Sequence, residues 1–416
     1  MSGTNETQAL GRDRIRKLFD LRSSYNAVSG GDFTDDPYPV WHELRERAVV
    51  HEGTVHELTG VHRPLRFQGL PLPDRPHFSV FGYAALDEIY RNSEVFSSSE
   101  GDTDPNSTAV ANSMLSMDGT RHRRYRALVQ PSFVPARAQW WITNWIQHTV
   151  HNLIDGFAEE GRAELNVDFC AAIPVLTITG SFGVPVEQAL DVREALHNPA
   201  EVVAMLAPIV AARRESPQDD LISVLTQAEL KDDDGTTHRL SDAEIYSFAL
   251  LLLFAGSGTT WKQMGITITA LLQRPDLLRA VNEDRSLLRP AIEEALRWMP
   301  TDPMFSRHVT RDTDFHGTHL PAGSVVHLCL GSANRDPARW ERPDEYDITR
   351  RMKASFAFGG GPHVCLGMHV ARAEIRIGIE ALLDRLPNLR LDPDRDQPRF
   401  IGMYERGVTE IPVVFG

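Results

Sequence analysis

From Ser241 to about Gln273 the sequence reads as one helix of roughly 30 residues, against a usual 10 to 14. Such a helix fixes the span of the body around it, because each residue advances the chain by about 1.5 Å. Its start, "SDAE", is a capping box with Ser241 as N-cap and Glu244 three positions on, and Pro275 follows its end. The apolar run Phe248 to Gly256 leads into "AGSGTT". There Gly256 and Gly258 each cost about 1 kcal/mol relative to alanine in a helix interior. Thr259 and Thr260 put two hydroxyls at the weak point, and no charged residue stands between Phe248 and Trp261.

Helical spacing recurs in "DPYPVWHELRER", "YAALDEIYRNS", "RHRRYRALVQPSF", "ARAQWWITNWIQHTVHNLIDGFAEEG" and "LLRPAIEEALRWMP". Strand signals are short and come from distant places: "HFSVFG", "SRHVTRDTDFHGTHLPAGSVVHLCL" and "GVTEIPVVF". The pattern predicts a mainly α protein with small β-sheets, an α+β arrangement around a long central helix. The 416 residues, 42% hydrophobic and 24% charged, suffice for a large core. No Ser/Gly-rich linker or repeat marks a boundary, so residues 36–416 are expected to form one domain behind an N-terminal stretch, 1–35, without a signature. "DDDGTTHR" near Asp232 and "EGDTDPNST" near Glu100 read as long loops inside it.

A net charge of −14 argues against nucleic acid as partner. Cys170, Cys329 and Cys365 are too few and scattered for a disulfide scaffold. The first twenty residues hold no apolar signal core. The longest apolar run, about nine residues, falls short of the roughly 20 that span a bilayer. A cytoplasmic protein without a membrane span is the expectation.

The densest punctuation is "FAFGGGPHVCLGMHVARAEIRIGIEALL". Three glycines and a proline force an irregular loop that ends at Cys365, just before a helix. A thiol at a helix N-terminus gains from the macrodipole and free N–H groups, which suits a metal ligand or a nucleophile. The stretch resembles the haem-binding signature of cytochromes P-450, Phe-x-x-Gly-x-x-x-Cys-x-Gly, with Phe358, Gly361, Cys365 and Gly367 in register and His363 two residues before the cysteine. The resemblance implies haem b (iron protoporphyrin IX) with Cys365 as the thiolate on iron. It also implies Phe358 beside the sulfur and Gly367 where the helix nears the porphyrin. It covers the chain from about Asp36 to the C-terminus.

Three further stretches fit the same family. "EALR" puts Glu294 and Arg297 at i, i+3, and "RPDEYDITR" adds Arg350; the resemblance makes them a buried ion network behind the cysteine loop. In "GTRHRRYRALV", His122 and Arg126 correspond to residues that bind haem propionates, as do Arg307 and His363, and an arginine fork suits a carboxylate. Arg121, Arg123 and Arg124 beside them read as a positive docking face for an acidic electron donor. "ANRDP", Ala333 to Pro337, is typical of soluble bacterial members.

By the same resemblance the long helix crosses the distal face of the haem. Its family pattern is Ala-Gly-x-(Asp/Glu)-Thr-(Thr/Ser), matched by Ala255, Gly256, Thr259 and Thr260. Thr259 then supplies the alcohol that helps deliver protons during O2 activation, but Gly258 occupies the acid position. Three accounts of that gap stand: delivery through Thr259 and water or an acid elsewhere, such as Asp302 or Glu405; a proton path ordered by the substrate; or peroxide-driven or non-oxygenative chemistry. Substrate-facing segments are the loop from Ser97 to Met114, Phe254 and Ala255, "PTDPMFS" with Asp302, Met304 and Phe305, and "GMYERG" with Met403, Tyr404 and Glu405. Their mixture suits a lipophilic small molecule with polar groups.

No flavin or dinucleotide fingerprint is present. Electrons are therefore expected from NAD(P)H through a separate ferredoxin reductase and ferredoxin. The expected activity is a haem-thiolate monooxygenase. A haem-thiolate binding protein without turnover, and a hydrolase using Cys365 with His363 or His369, are the readings from other classes.

Overall fold

The computed structural model describes residues 11–23, 28–63, 65, 74–99, 113–231 and 235–416. The helices that build the site are α1 (Arg12–Leu18), α2 (Tyr38–Arg47), α3 (Tyr83–Arg91), α4 (Gly119–Val129) and α5 (Ala172–Ser181) in the first half. Then come α6 (Ala189–Ala195), α7 (Asp242–Gly258), α8 (Thr260–Leu272), α9 (Leu288–Trp298) and α10 (Met368–Arg385). The main sheet takes β1 (Val50–Glu52), β2 (His77–Val80), β3 (Phe96–Ser97), β4 (Met304–Val309) and β5 (Val325–Cys329). Its spatial order is β1-β2-β5-β4-β3. Only the β5–β2 contact is parallel; the other three pairings are antiparallel. This is the helix-rich body with small sheets from distant segments that the sequence pattern predicts.

The predicted single long helix is interrupted at its weak point. α7 ends at Gly258 and α8 begins at Thr260, with Thr259 between them at φ −97°, ψ −44°. Ser257 Oγ donates to the Leu253 carbonyl at 2.7 Å, and Thr259 Oγ1 donates to the Ala255 carbonyl at 3.2 Å. Hydroxyls bonding back four residues compete with the helix ladder and bend it. At the other end the capping box of Ser241 and Glu244 is present as expected.

Every residue of α8 is buried, including Lys262 and Gln263. The span Asp242–Leu272 is long and apolar enough by composition to cross a membrane, contrary to the short apolar run alone. Burial of α8 on all sides accounts for that apolarity, because a helix enclosed by protein needs no polar face. Ile15, Phe19 and Leu21, from the N-terminal stretch without a signature, belong to the same buried cluster as the central helices. Phe19 meets Trp261 edge-on at 5.6 Å.

Residues 232–234 of the expected long loop near Asp232 lie outside the described residues, and the segments on either side of them pair as strands. Glu229–Lys231 pairs antiparallel with Thr237–Arg239, and Gly235 takes a left-handed conformation at φ +87°. The "EGDTDPNST" segment, and with it most of the Ser97 to Met114 loop, lies outside the described residues.

Candidate functional site

Cys365 sits between a loop that needs glycine and the first turn of α10. Gly359 and Gly361 have φ of +68° and +64°, and a Cβ at Gly361 would lie 2.3 Å from the Tyr90 carbonyl oxygen on α3. The loop is closed by the Cys365 N–H, which donates to the Phe358 carbonyl at 2.9 Å. Cys365 is exposed, yet burial pushes its thiol up. The Gly367 N–H opposes that rise, Asp302 adds to it, and the charges of Arg126 and Arg372 reduce it. A group both accessible and desolvated lines a recess rather than the outer surface. A Cβ at Gly367 would meet nothing within 4 Å, so open space continues past the start of α10. Phe358 is held under the Arg372 guanidinium, 4.5 Å from the ring.

Two arginines border this recess without an ion-pair partner among the described residues. Arg126 Nη2 donates to the Val364 carbonyl at 2.7 Å, in the cysteine loop itself. Arg307 Nη1 donates to the Ser306 carbonyl at 2.7 Å, and its guanidinium lies 5.1 Å from the Tyr90 ring. Burial lowers the pKa of both. The His122 and His363 rings stack at 3.9 Å, with His363 Nε2 3.3 Å from Asp118 Oδ1. Burial, with His363 and Arg126 adjacent, pulls His122 down to about 4, so it is a neutral donor at pH 7. A buried guanidinium without an anion is costly. Haem supplies two propionates for those arginines and an iron for the thiol, so the residues present fit that group. Among the described residues no hydrogen bond joins Cys365 to His363 or His369, which leaves a cysteine hydrolase without a positioned base.

Behind the loop the ion network is complete. Arg297 donates to both Glu294 oxygens at 2.8 and 2.6 Å and to the carbonyls of Asn334, Pro343 and Glu345. Arg350 Nε reaches Glu294 Oε1 at 3.3 Å. The Glu294 and Arg297 side chains are 6% and 2% exposed, so a pair that would be worth little on a surface is fully enclosed.

The sequence model of the cytochrome P450 family matches residues 191–403. The mycinamicin IV hydroxylase/epoxidase of Micromonospora griseorubida is 34% identical over 325 residues, 74% of this chain and 80% of that protein. This chain belongs to the cytochrome P450 family. The cytochrome P450 monooxygenase PikC of Streptomyces venezuelae is 31% identical over 382 residues, 87% of each. A solved structure of P450BioI in complex with an acyl carrier protein carrying hexadec-9Z-enoic acid superposes with a TM-score of 0.77. It is 28% identical and covers 92% of this chain and 99% of that one. The chain is an oxidoreductase, a haem-thiolate monooxygenase.

Within this cytochrome P450 the helix expected on the distal face departs from expectation at three positions. A Cβ at Gly256 would lie 3.0 Å from Ile178 Cγ1 on α5, so this glycine serves close helix packing. Thr260 is buried, with the Glu374 carboxyl of α10 close enough to feel its hydroxyl. Gly258 is not sterically required, since a Cβ there would make ordinary contact with Arg193 Nη1 at 3.6 Å. Arg193, on α6, donates to Ser257 Oγ at 3.1 Å and occupies the flank of the missing acid. Ala255 and Phe254 are exposed between the buried run 248–253 and the buried α8, Phe254 at 38%.

The expected substrate-facing residues divide. Phe254, Asp302, Phe305 and Glu405 keep accessible surface, whereas Met304, Met403 and Tyr404 are buried in the core. Met403 packs where a Cβ on Gly30 would be 2.9 Å away, and the Tyr404 hydroxyl bonds to His56 Nδ1, so neither is free to face a substrate. Sequence reading missed Arg193, Lys262 and Glu374, which have no family spacing to flag them; an ionisable residue inside an apolar helical run was the available signal at Lys262.

Asp302 is the least satisfied acid here. Its Oδ1 is buried without a hydrogen-bond partner among the described residues. Burial and the Glu405 charge push its carboxyl up to about 7, with Lys262 pulling the other way. A folded-state pKa above the unfolded one means stability is lost as pH rises from the unfolded value towards about 7. Asp302→Asn is therefore expected to stabilise the protein, by an advantage that grows on the order of 1 kcal/mol per pH unit across that window. Urea melts at pH 5 and pH 8 that show the same difference between the two proteins would contradict this.

Proposed function

We propose that this cytochrome P450 inserts one oxygen atom of O2 into a lipophilic small molecule carrying a polar group, by hydroxylation or a related oxidation. Haem b, held by Cys365 and at its propionates by His122, Arg126, Arg307 and His363, would supply O2 binding and activation. The observation that carries this is the accessible Cys365 thiol bordered by buried Arg307 and half-buried Arg126, neither with an ion-pair partner among the described residues. The mycinamicin IV relative, named for hydroxylation and epoxidation, is a precedent for the reaction class. Electrons come from NAD(P)H through a ferredoxin reductase and a ferredoxin, and exposed Arg121 and Arg123 on α4 suit an acidic donor.

Phe254 and Ala255 present apolar surface to the substrate, while Thr259 holds its hydroxyl at the helix break through the Ala255 carbonyl. The proton that the usual acid would provide is held by Glu374. Burial raises this carboxyl to about 8, so it is protonated at neutral pH. It sits at Thr260, one residue from Thr259, and passes its proton to the Thr259 Oγ1 through the neighbouring hydroxyl and water.

Product formed per NAD(P)H oxidised tests this. Glu374→Gln is expected to lower it by about tenfold or more. Gly258→Asp is expected to leave it unchanged, because the new side chain's Cβ would lie 3.6 Å from Arg193 Nη1, which puts its carboxylate within reach of that guanidinium. Higher coupling in Gly258→Asp with normal coupling in Glu374→Gln would show that the proton enters from the other side of the helix.

A further inference from the structure

Three charged groups from distant parts of the chain meet beside α8, outside the haem-binding and proton-holding sets. Arg406 N–H donates to the Thr301 carbonyl at 2.6 Å, and Thr301 Oγ1 donates to the Arg406 carbonyl at 2.8 Å. That pairing sets their neighbours, Asp302 and Glu405, side by side. Thr301 N–H also donates to Gln263 Oε1 at 2.9 Å, which clamps the pair to α8. Gly402, at φ +103°, makes the turn before Glu405, where any Cβ would collide with the Glu405 carbonyl at 1.9 Å. The Lys262 stem crosses Gly407, whose added Cβ would lie 3.4 Å from Lys262 Cγ, and its ammonium pairs with Glu405.

The charges do not balance. One ammonium stands against two carboxylates and pairs with Glu405, and Asp302 retains a buried oxygen with no hydrogen-bond partner among the described residues. Lys262 is 2% exposed and committed to Glu405. Glu405 and Lys262 are the charges that act on Asp302. Lys262 follows Thr259 by three residues, so the group lies one helical turn from the hydroxyl at the break. An unpaired carboxylate in such surroundings costs stability that a cation would restore.

We propose that Asp302 and Glu405, held in place by Lys262, form a subsite for a cationic nitrogen on an otherwise lipophilic substrate. The subsite rests on the reading of the distal space as the substrate cavity. The nitrogen completes the charge count and donates to Asp302 Oδ1. A substrate carboxylate would face two acids and is rejected; a neutral hydroxyl satisfies the oxygen without balancing the charge.

The test uses the haem-loaded protein and three probes of equal chain length: N,N-dimethyldecylamine, decanol and decanoate. Binding is read by calorimetry and by the low-to-high spin shift. The amine is expected to bind at least about tenfold more tightly than decanol, equivalent to about 1.4 kcal/mol. In Asp302→Asn that preference is expected to shrink to about twofold or less. A preference that survives Asp302→Asn, or decanoate binding more tightly than the amine in the unaltered protein, overturns the subsite. Because the second result needs no variant, a folding defect in Asp302→Asn cannot shield the proposal. Failure of all three probes to bind a protein with a normal reduced, CO-bound spectrum would instead overturn the reading of the distal space as the substrate cavity.

Discussion

Arg297→Ala is expected to destabilise the protein by about 3–5 kcal/mol, the range for breaking one side of a buried charge pair. The Arg297 guanidinium makes five hydrogen bonds, two to Glu294 and three to backbone carbonyls of the segment before the cysteine loop. Alanine removes all of them and leaves Glu294, 6% exposed, with Arg350 as its remaining ion-pair partner. Glu294 Oε1 also accepts from the Asp347 N–H at 3.0 Å, so the loss spreads into the chain that carries Arg350. Total stabilities of about 5–15 kcal/mol make this a large fraction of what is available. Arg297→Lys is expected to recover little, because a lysine ammonium cannot make the fork to Glu294 and reach three carbonyls at once. Urea midpoints with unchanged slopes measure the effect. A loss below about 1 kcal/mol for Arg297→Ala would show the network to be ornamental.

How legible this arrangement was in the sequence depended on whether a residue's neighbours lie close along the chain. The cysteine loop was readable because its geometry is local: glycines at Gly359 and Gly361 are needed by their own φ and by Tyr90 beside them. The capping box at Ser241 and the strand of Arg307 were readable for the same reason. The interruption at Thr259 was half legible. Two glycines announced a weak helix, but the hydroxyl back-bonds that end α7 are seen only in three dimensions. Gly256 illustrates the limit, since its necessity comes from Ile178, far away in sequence. Met403 and Tyr404 were expected at the substrate because the family resemblance places their segment there. Instead the turn at Gly402 leaves Glu405 accessible while Met403, Tyr404 and Arg406 are buried. Lys262 and Glu374 show the converse, since the tertiary partners that define them stand 143 and 114 residues away.

Cys365→Ser is expected to abolish oxygen insertion while leaving the fold almost intact, and this contrast separates a ligand from a packing residue. The Cys365 backbone N–H is bonded to Phe358 whatever the side chain, so the loop survives the exchange. The thiol itself opens on the recess and is not packed in a core, unlike Cys170 and Cys329, which are buried. Stability without haem should therefore change by no more than about 0.5 kcal/mol, as for substitutions that leave packing alone. The chemistry changes far more, because a serine oxygen is a harder and much more basic donor than a thiolate and gives the iron less electron density. The reduced, CO-bound protein is expected to lose the red-shifted thiolate band. Product formation should fall at least about a hundredfold, equivalent to about 2.7 kcal/mol of barrier. Arg126 and Arg307 are untouched, so haem should still be retained through its propionates, at reduced affinity. A serine variant that keeps the red-shifted band, or one that unfolds as readily as Arg297→Ala, would mean that Cys365 serves the loop and not the iron.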